Sequence, residues 1–278
     1  MKRVLIGLVF SGVLAGAALA VFYVGQRALI FPAPPFELPR PLPEGIEKWT
    51  LDAGYALFMP PAGSTKATNA ANTSNAAVAD QARFPLVIYA HGNAEVAYWS
   101  THRFKPWLDQ GYGVLLLEYP GYGGAPGKPG FESIRQAALA AFDHALTVPE
   151  IDSDAIVAYG RSMGGGAAGI LAAERPVAAL ILESTYTSLP ALVAEKLFPS
   201  VLVKDPFNTA AALKDLRAPV FVYHGREDRI IPVEHGKRLA ATAANSQLLL
   251  ADCGHNNCPP PWEEIFKFLA GHRVALLP

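Results

Sequence analysis

The stretch Gly160-Arg161-Ser162-Met163-Gly164, followed by Gly165 and Gly166, constrains this chain more than any other. Ile156-Val157-Ala158-Tyr159 before it is a short apolar run rich in strand formers. Ala167 to Glu174 after it is small and apolar enough to pack as a buried helix. Strand, G-x-S-x-G and helix together make a nucleophile elbow, a turn so sharp that its serine is held in strained backbone geometry. Gly160 and Gly164 leave room where side chains would collide. The turn lifts the hydroxyl above the sheet, at the N-terminus of a helix whose dipole favours developing negative charge. The competing reading is a glycine-rich helix start with an incidental serine.

Three further placements favour the elbow. His91-Gly92-Asn93-Ala94 follows the apolar run Leu86 to Ala90, a strand ending in a tight turn suited to presenting a backbone N–H to an oxyanion. Asp228 closes His224-Gly225-Arg226-Glu227-Asp228, directly after Val220 to Tyr223. His255 lies in Cys253-Gly254-His255-Asn256, directly after Leu248 to Leu250. Serine, acid and histidine, each in a loop after a strand, follow the chain order of the α/β-hydrolases. Ser162 is therefore the candidate nucleophile, His255 the general base and Asp228 the acid that orients it. Met163 and Asn93 are the candidate oxyanion donors through their backbone N–H groups. Glu183 and Asp252 compete with Asp228, the first by following the strand after the elbow, the second by lying close to His255. Each histidine other than His255 reads as an ordinary turn or surface residue, with His91 bracing the oxyanion loop.

Composition agrees. The 278 residues suffice for one large α/β domain; they are 51% hydrophobic and 17% charged, with a formal net charge of −1. No basic stripe points to nucleic acid, and no Cys/His spacing reads as a metal site. Cys253 and Cys258 bracket His255. They form either a short disulfide around the candidate base or two unpaired thiols.

Met1-Lys2-Arg3 precedes an uncharged run from Val4 to Val24, long enough to cross a bilayer. The two cations would hold the N-terminus in the cytoplasm and export the domain. Residues 1–25 thus read as an uncleaved anchor, with a signal peptide cut after Ala18-Leu19-Ala20 as the alternative. Residues 26–45 read as a proline-rich spacer, or as chain lying along the domain surface. The catalytic domain would occupy 46–278. Within it, Trp49 to Leu51 and Tyr55 to Phe58 suggest a hairpin, and 62–82, almost all Ala, Thr, Asn and Ser, a flexible insertion. Ala94 to Gln110 is expected to be helical, Val114 to Leu117 a parallel strand and Phe131 to Ala145 a helix facing the core. Residues 185–217 are too many for a simple crossover. They are expected to form a small helical cap, with Leu189, Leu192, Val193, Leu197 and Phe198 lining the site or packing the cap itself. Trp262, Ile265, Phe266 and Leu269 mark a last helix.

Five strings carry a more specific resemblance: His91 to Ala94, Tyr119-Pro120-Gly121-Tyr122-Gly123, Gly160 to Gly165, Glu183-Ser184-Thr185-Tyr186-Thr187-Ser188 and His224 to Asp228. With Gln26 to Pro32, they resemble the membrane-anchored α/β-hydrolase-domain proteins. That group includes protein depalmitoylases and borders the serine aminopeptidase-like hydrolases. The resemblance implies a mostly parallel eight-stranded sheet flanked by helices, and a serine hydrolase acting on an ester, thioester or amide without a cofactor. A small acyl-ester, thioester or lipid-like substrate is expected. A peptidase, or a non-catalytic tethered binding protein on the same fold, is the alternative. The chain departs from the family at Cys253, Cys258 and Glu95, the last setting a carboxylate in the oxyanion loop where the family places glycine.

Overall fold

Val114 to Leu117 lies in a strand buried along its whole length, as a run with no polar position requires when helices cover both faces of a sheet. The computed structural model describes residues 2–64, 83–196 and 199–274. Helix α1 (Lys2–Ile30) comes first, then strands β1 (Glu47–Leu51), β2 (Gly54–Met59), β3 (Phe84–Ala90), helix α2 (Lys105–Asp109) and β4 (Gly113–Glu118). Helix α3 (Phe131–Ala145), β5 (Ile151–Arg161), α4 (Gly164–Glu174) and β6 (Ala179–Glu183) follow. The chain continues through α5 (Leu189–Glu195), α6 (Thr209–Leu213), β7 (Val220–Gly225), α7 (Val233–Thr242), β8 (Ser246–Ala251) and α8 (Trp262–Gly271).

The strands form one eight-stranded sheet in the order β1-β2-β4-β3-β5-β6-β7-β8. β1 and β2 are the expected hairpin, β2 pairs antiparallel with β4, and every later pairing is parallel. Alternation along the strands splits the core in two. Leu86, Ile88, Leu115 and Leu117 face a layer containing Phe142 of α3, Leu171 of α4 and Leu239 of α7. Val87, Tyr89, Val114 and Leu116 face Trp107 of α2 with Ile265, Phe268 and Leu269 of α8. The C-terminal ends of the strands are thereby held between two packed layers.

The sequence expectation of one helix over Ala94 to Gln110 is corrected. Two 3-10 turns, Ala97–Ser100 and His102–Phe104, lead into the five-residue α2. Pro106 in the first turn of α2 has no N–H and clashes with a preceding helical turn, so a continuous helix cannot pass through it. β5 starts earlier than the apolar run suggests, at Ile151, because Phe84 of β3 offers Ile151 a pairing partner.

Residues 185–217 contain α5, a 3-10 turn at Ser200–Leu202 and α6. Leu189 is buried, and Leu192 and Val193 pack on the α3/α4 core layer. Leu197 and Phe198 lie outside the described residues, as does the insertion from 65 to 82. Gln26 to Ile30, assigned to the spacer by sequence, closes α1. The proline-rich chain then runs along the domain, with Phe36 against Tyr98 and Trp99, and Leu38 and Leu42 on the α2/α8 layer. Among the described residues no helix is long and apolar enough to cross a membrane, and most side chains of the Val4 to Val24 run lie outside them.

Candidate active site

The turn from β5 into α4 places Ser162 at φ +53°, the left-handed region that a serine enters only at a cost of about 1–2 kcal/mol. Neighbouring backbone imposes that geometry. Ser162 N donates to Glu183 O at 2.8 Å, and the Thr185 hydroxyl donates to Ser162 O at 2.6 Å. A Cβ on Gly164 would sit 2.0 Å from the Ala90 carbonyl oxygen, so only glycine lets α4 begin against the end of β3. Helix α4 is buried from Gly164 to Ala172, with its positive N-terminal end at the serine.

The three residues expected from sequence meet. His255 Nε2 lies 3.0 Å from Ser162 Oγ, and His255 Nδ1 lies 2.7 Å from Asp228 Oδ2. All three are buried. Asp228 Oδ1 accepts the N–H groups of Ile230 and Ile231 at 2.9 and 2.8 Å, while Oδ2 lies 3.4 Å from His224 Nε2. Burial would push this carboxyl up, but hydrogen bonds from His224, His255 and the Ile231 amide outweigh it and hold the carboxyl well below the usual range. The competing acids are elsewhere. Glu183 is buried against Tyr159 and Arg103, and exposed Asp252 accepts from Arg226 at 2.9 Å.

Among the described residues no hydrogen bond takes the backbone N–H of Asn93 or Met163. Asn93 follows β3 and lies exposed, its Oδ1 accepting from Ala94 N at 3.0 Å and Tyr122 OH at 3.1 Å. His91 braces this loop from beneath, fully buried, with Nδ1 2.8 Å from Gly92 O and Nε2 3.0 Å from Glu118 Oε1. Glu95 does not leave a bare charge here. One carboxylate oxygen accepts Gly92 N at 3.0 Å and the other pairs with Arg161 at 2.5 Å. Cys253 and Cys258 are joined, with Cα atoms 5.2 Å apart, so a disulfide closes the loop that carries His255.

Sequence reasoning missed four residues that hold this site. Arg161 fills a variable position of the elbow motif, which carries no signal. His224 and His235 are fully buried rather than surface or turn residues. His224 donates to Ile231 O at 2.9 Å, and His235 Nδ1 accepts Thr187 N at 3.1 Å. Glu118 was the legible one: an acid ending an otherwise apolar buried strand needs a partner.

The fold places this arrangement among known proteins. The esterase Pf2001 of Pyrococcus furiosus superposes with a TM-score of 0.64 at 19% identity, over 86% of this chain and 96% of the esterase. The chain has the α/β-hydrolase fold. A family profile described as "Hydrolase_4: Serine aminopeptidase, S33" matches residues 81–205 of the chain, a segment that contains Ser162 but ends before Asp228 and His255. An uncharacterized protein of Mycobacterium tuberculosis is 33% identical over 179 residues, which cover 62% of this chain and 63% of that protein. The lysophosphatidylserine lipase ABHD12 of Xenopus tropicalis is 28% identical over 190 residues, 60% of this chain and 48% of the lipase. The match thus spans less than two thirds of either relative.

Proposed function

We propose that this chain is a serine hydrolase that cleaves a carboxylic ester or thioester through an acyl-Ser162 intermediate. The carrying observation is the unbroken line from Ser162 Oγ through the His255 ring to Asp228, at 3.0 and 2.7 Å. With a carboxylate at Nδ1, the imidazole keeps its proton there and offers Nε2 as acceptor. Nε2 takes the Ser162 proton as Oγ attacks the acyl carbon, and the amides of Met163 and Asn93 hold the oxyanion. The tetrahedral adduct collapses as His255 returns the proton to the leaving alcohol or thiol. Water, deprotonated by the same Nε2, then releases the acid and restores the serine. Residues 185–196 and 199–217 act as a small cap beside the site.

Esters and thioesters are favoured over peptides by the state of the two acids that would grip a peptide N-terminus. Glu95 is paired with Arg161, and Glu183 with Arg103. A lipid-like acyl chain is the substrate class suggested by similarity to the lysophosphatidylserine lipase. The proposal includes an exported domain anchored by the Val4 to Val24 run, which the Cys253–Cys258 bond supports, since disulfides persist in oxidising compartments.

The test is fluorophosphonate labelling, with hydrolysis of p-nitrophenyl esters of graded chain length and of aminoacyl p-nitroanilides. Labelling and ester turnover that both vanish in folded Ser162→Ala are expected. Unlabelled wild-type protein would refute the reading, and preference for the anilides would turn it to the peptidase alternative. Membrane fractionation of the full chain tests the anchor.

A further inference from the structure

Arg161 sits beside the nucleophile, 11% exposed, with its guanidinium contacting three parts of the site. Nη1 donates to Glu95 Oε1 at 2.5 Å, in the loop after β3. Nη2 donates to the backbone oxygen of His255 at 3.0 Å and to Asn256 Oδ1 at 3.1 Å, in the loop after β8. Nε lies 3.5 Å from Glu183 Oε1 at the end of β6. Beyond these contacts the charges alternate. Glu183 is held by Arg103 and Tyr159, Arg103 lies over the Trp262 ring, and Glu95 accepts the Gly92 amide at 3.0 Å. A side chain at Gly92 would press on this row. A Cβ there would come within 3.1 Å of Arg161 Nη1 and 3.2 Å of Glu95 Oε1.

We propose that Arg161 and Glu95 form a positioning latch that sets the loop of the general base against the loop of the oxyanion donor. The inference rests on the serine-hydrolase reading. The two loops leave β3 and β8, which have β5, β6 and β7 between them in the sheet. A small independent drift of either loop would spoil the attack geometry, and misplacement of about 1 Å can cost about a hundredfold in rate. A planar fork with donors pointing three ways ties both loops to the residue next to Ser162. A lysine, a point charge on a flexible stem, reaches one partner at a time. The latch also accounts for Glu95. Two residues from Asn93, a bare carboxylate would oppose an oxyanion, and Arg161 offsets that charge while using it as a handle.

Five variants and two readouts test the latch. Arg161→Met should lower kcat on a p-nitrophenyl ester about a hundredfold with KM nearly unchanged, because alignment rather than binding is lost. Glu95→Gln should cost about tenfold, and Arg161→Met/Glu95→Gln should be no worse than Arg161→Met, since coupled residues do not add. Arg161→Lys, which keeps the charge beside Glu95, should recover part of kcat. Separately from turnover, Glu95→Gln in the Ser162→Ala background should speed amide hydrogen exchange in residues 254–257, although Glu95 has no direct contact there. Unchanged kcat in Arg161→Met, effects that multiply in the double variant, or exchange at 254–257 indifferent to Glu95 would each overturn the latch. Unlabelled wild-type protein would instead overturn the serine-hydrolase reading, and the exchange result would then judge the latch alone.

Discussion

Nδ1 of His255 and Oδ2 of Asp228 stand 2.7 Å apart across the loops that follow β8 and β7, two strands paired along their length. Strand pairing brings the loops together, and the two Ile amides on Asp228 Oδ1 leave Oδ2 directed at the imidazole. Asp228→Asn keeps the shape but removes the acceptor, favouring the wrong tautomer. Turnover should fall by about four orders of magnitude. Glu183→Gln should instead strip a buried partner from Arg103, costing stability by about 3–5 kcal/mol while the folded fraction stays active. Kinetics and urea unfolding of both variants decide it; the reverse ranking would transfer the orienting role to Glu183.

The same carboxylate governs stability in acid. Its folded pKa is depressed, with burial opposing and the hydrogen bonds of His224, His255 and Ile231 prevailing. The unfolded chain therefore binds the proton more readily. The contribution is complete above the ordinary aspartate value of about 3.9 and is lost as pH falls from there through the folded value. Asp228→Asn should flatten the fall of melting temperature below about pH 4. Equal slopes in the two proteins would remove Asp228 from the acid response.

Backbone strain at Ser162 gives a stability prediction that runs against activity. At φ +53° a Cβ is unfavourable and glycine is at ease. Ser162→Gly should be inactive yet melt about 2–4 °C above Ser162→Ala, the shift expected for about 1 kcal/mol in a domain of this size. Equal melting temperatures would mean that the elbow stores no strain.

Reducing the Cys253–Cys258 bond frees the backbone that carries His255 while cutting only a short loop. Little stability should be lost, because short loops gain little from closure. Mild reductant should lower kcat about tenfold with circular dichroism unchanged, the loss expected from a small misalignment of the base. Full activity in the reduced protein would assign the bond no positional role.

The end of α1 belongs to the folded domain. The buried Gln26 side chain donates to Leu202 O and accepts from Lys204 N, both at 2.9 Å, while Arg27 pairs with Asp205 at 2.8 Å. Gln26→Ala leaves a carbonyl and an amide without partners, costing about 1–3 kcal/mol. Residues 199–205 should become readily cut by protease before the rest of the domain. Unchanged cleavage there would show that α1 does not hold the segment.

The sequence by itself determined the parallel sheet, the elbow and the places of Ser162 and His255, and left Glu183 and Asp252 in competition with Asp228. Apolar runs such as Val114 to Leu117 must be buried on both faces, and G-x-S-x-G between a strand and a helix admits few geometries. These are local signals, written in neighbouring residues. The tertiary structure alone decided what surrounds the triad. Arg161, Glu95, Glu183 and Arg103 come from four separate parts of the chain, and the choice of Asp228 over Glu183 depends on Asp228 meeting His255 while Glu183 is taken by Arg103 and Arg161. Charged side chains carry no periodic signature, and their partners are set by which strand ends the sheet order brings together. Pairings across many residues of separation can therefore be read only once the chain has closed.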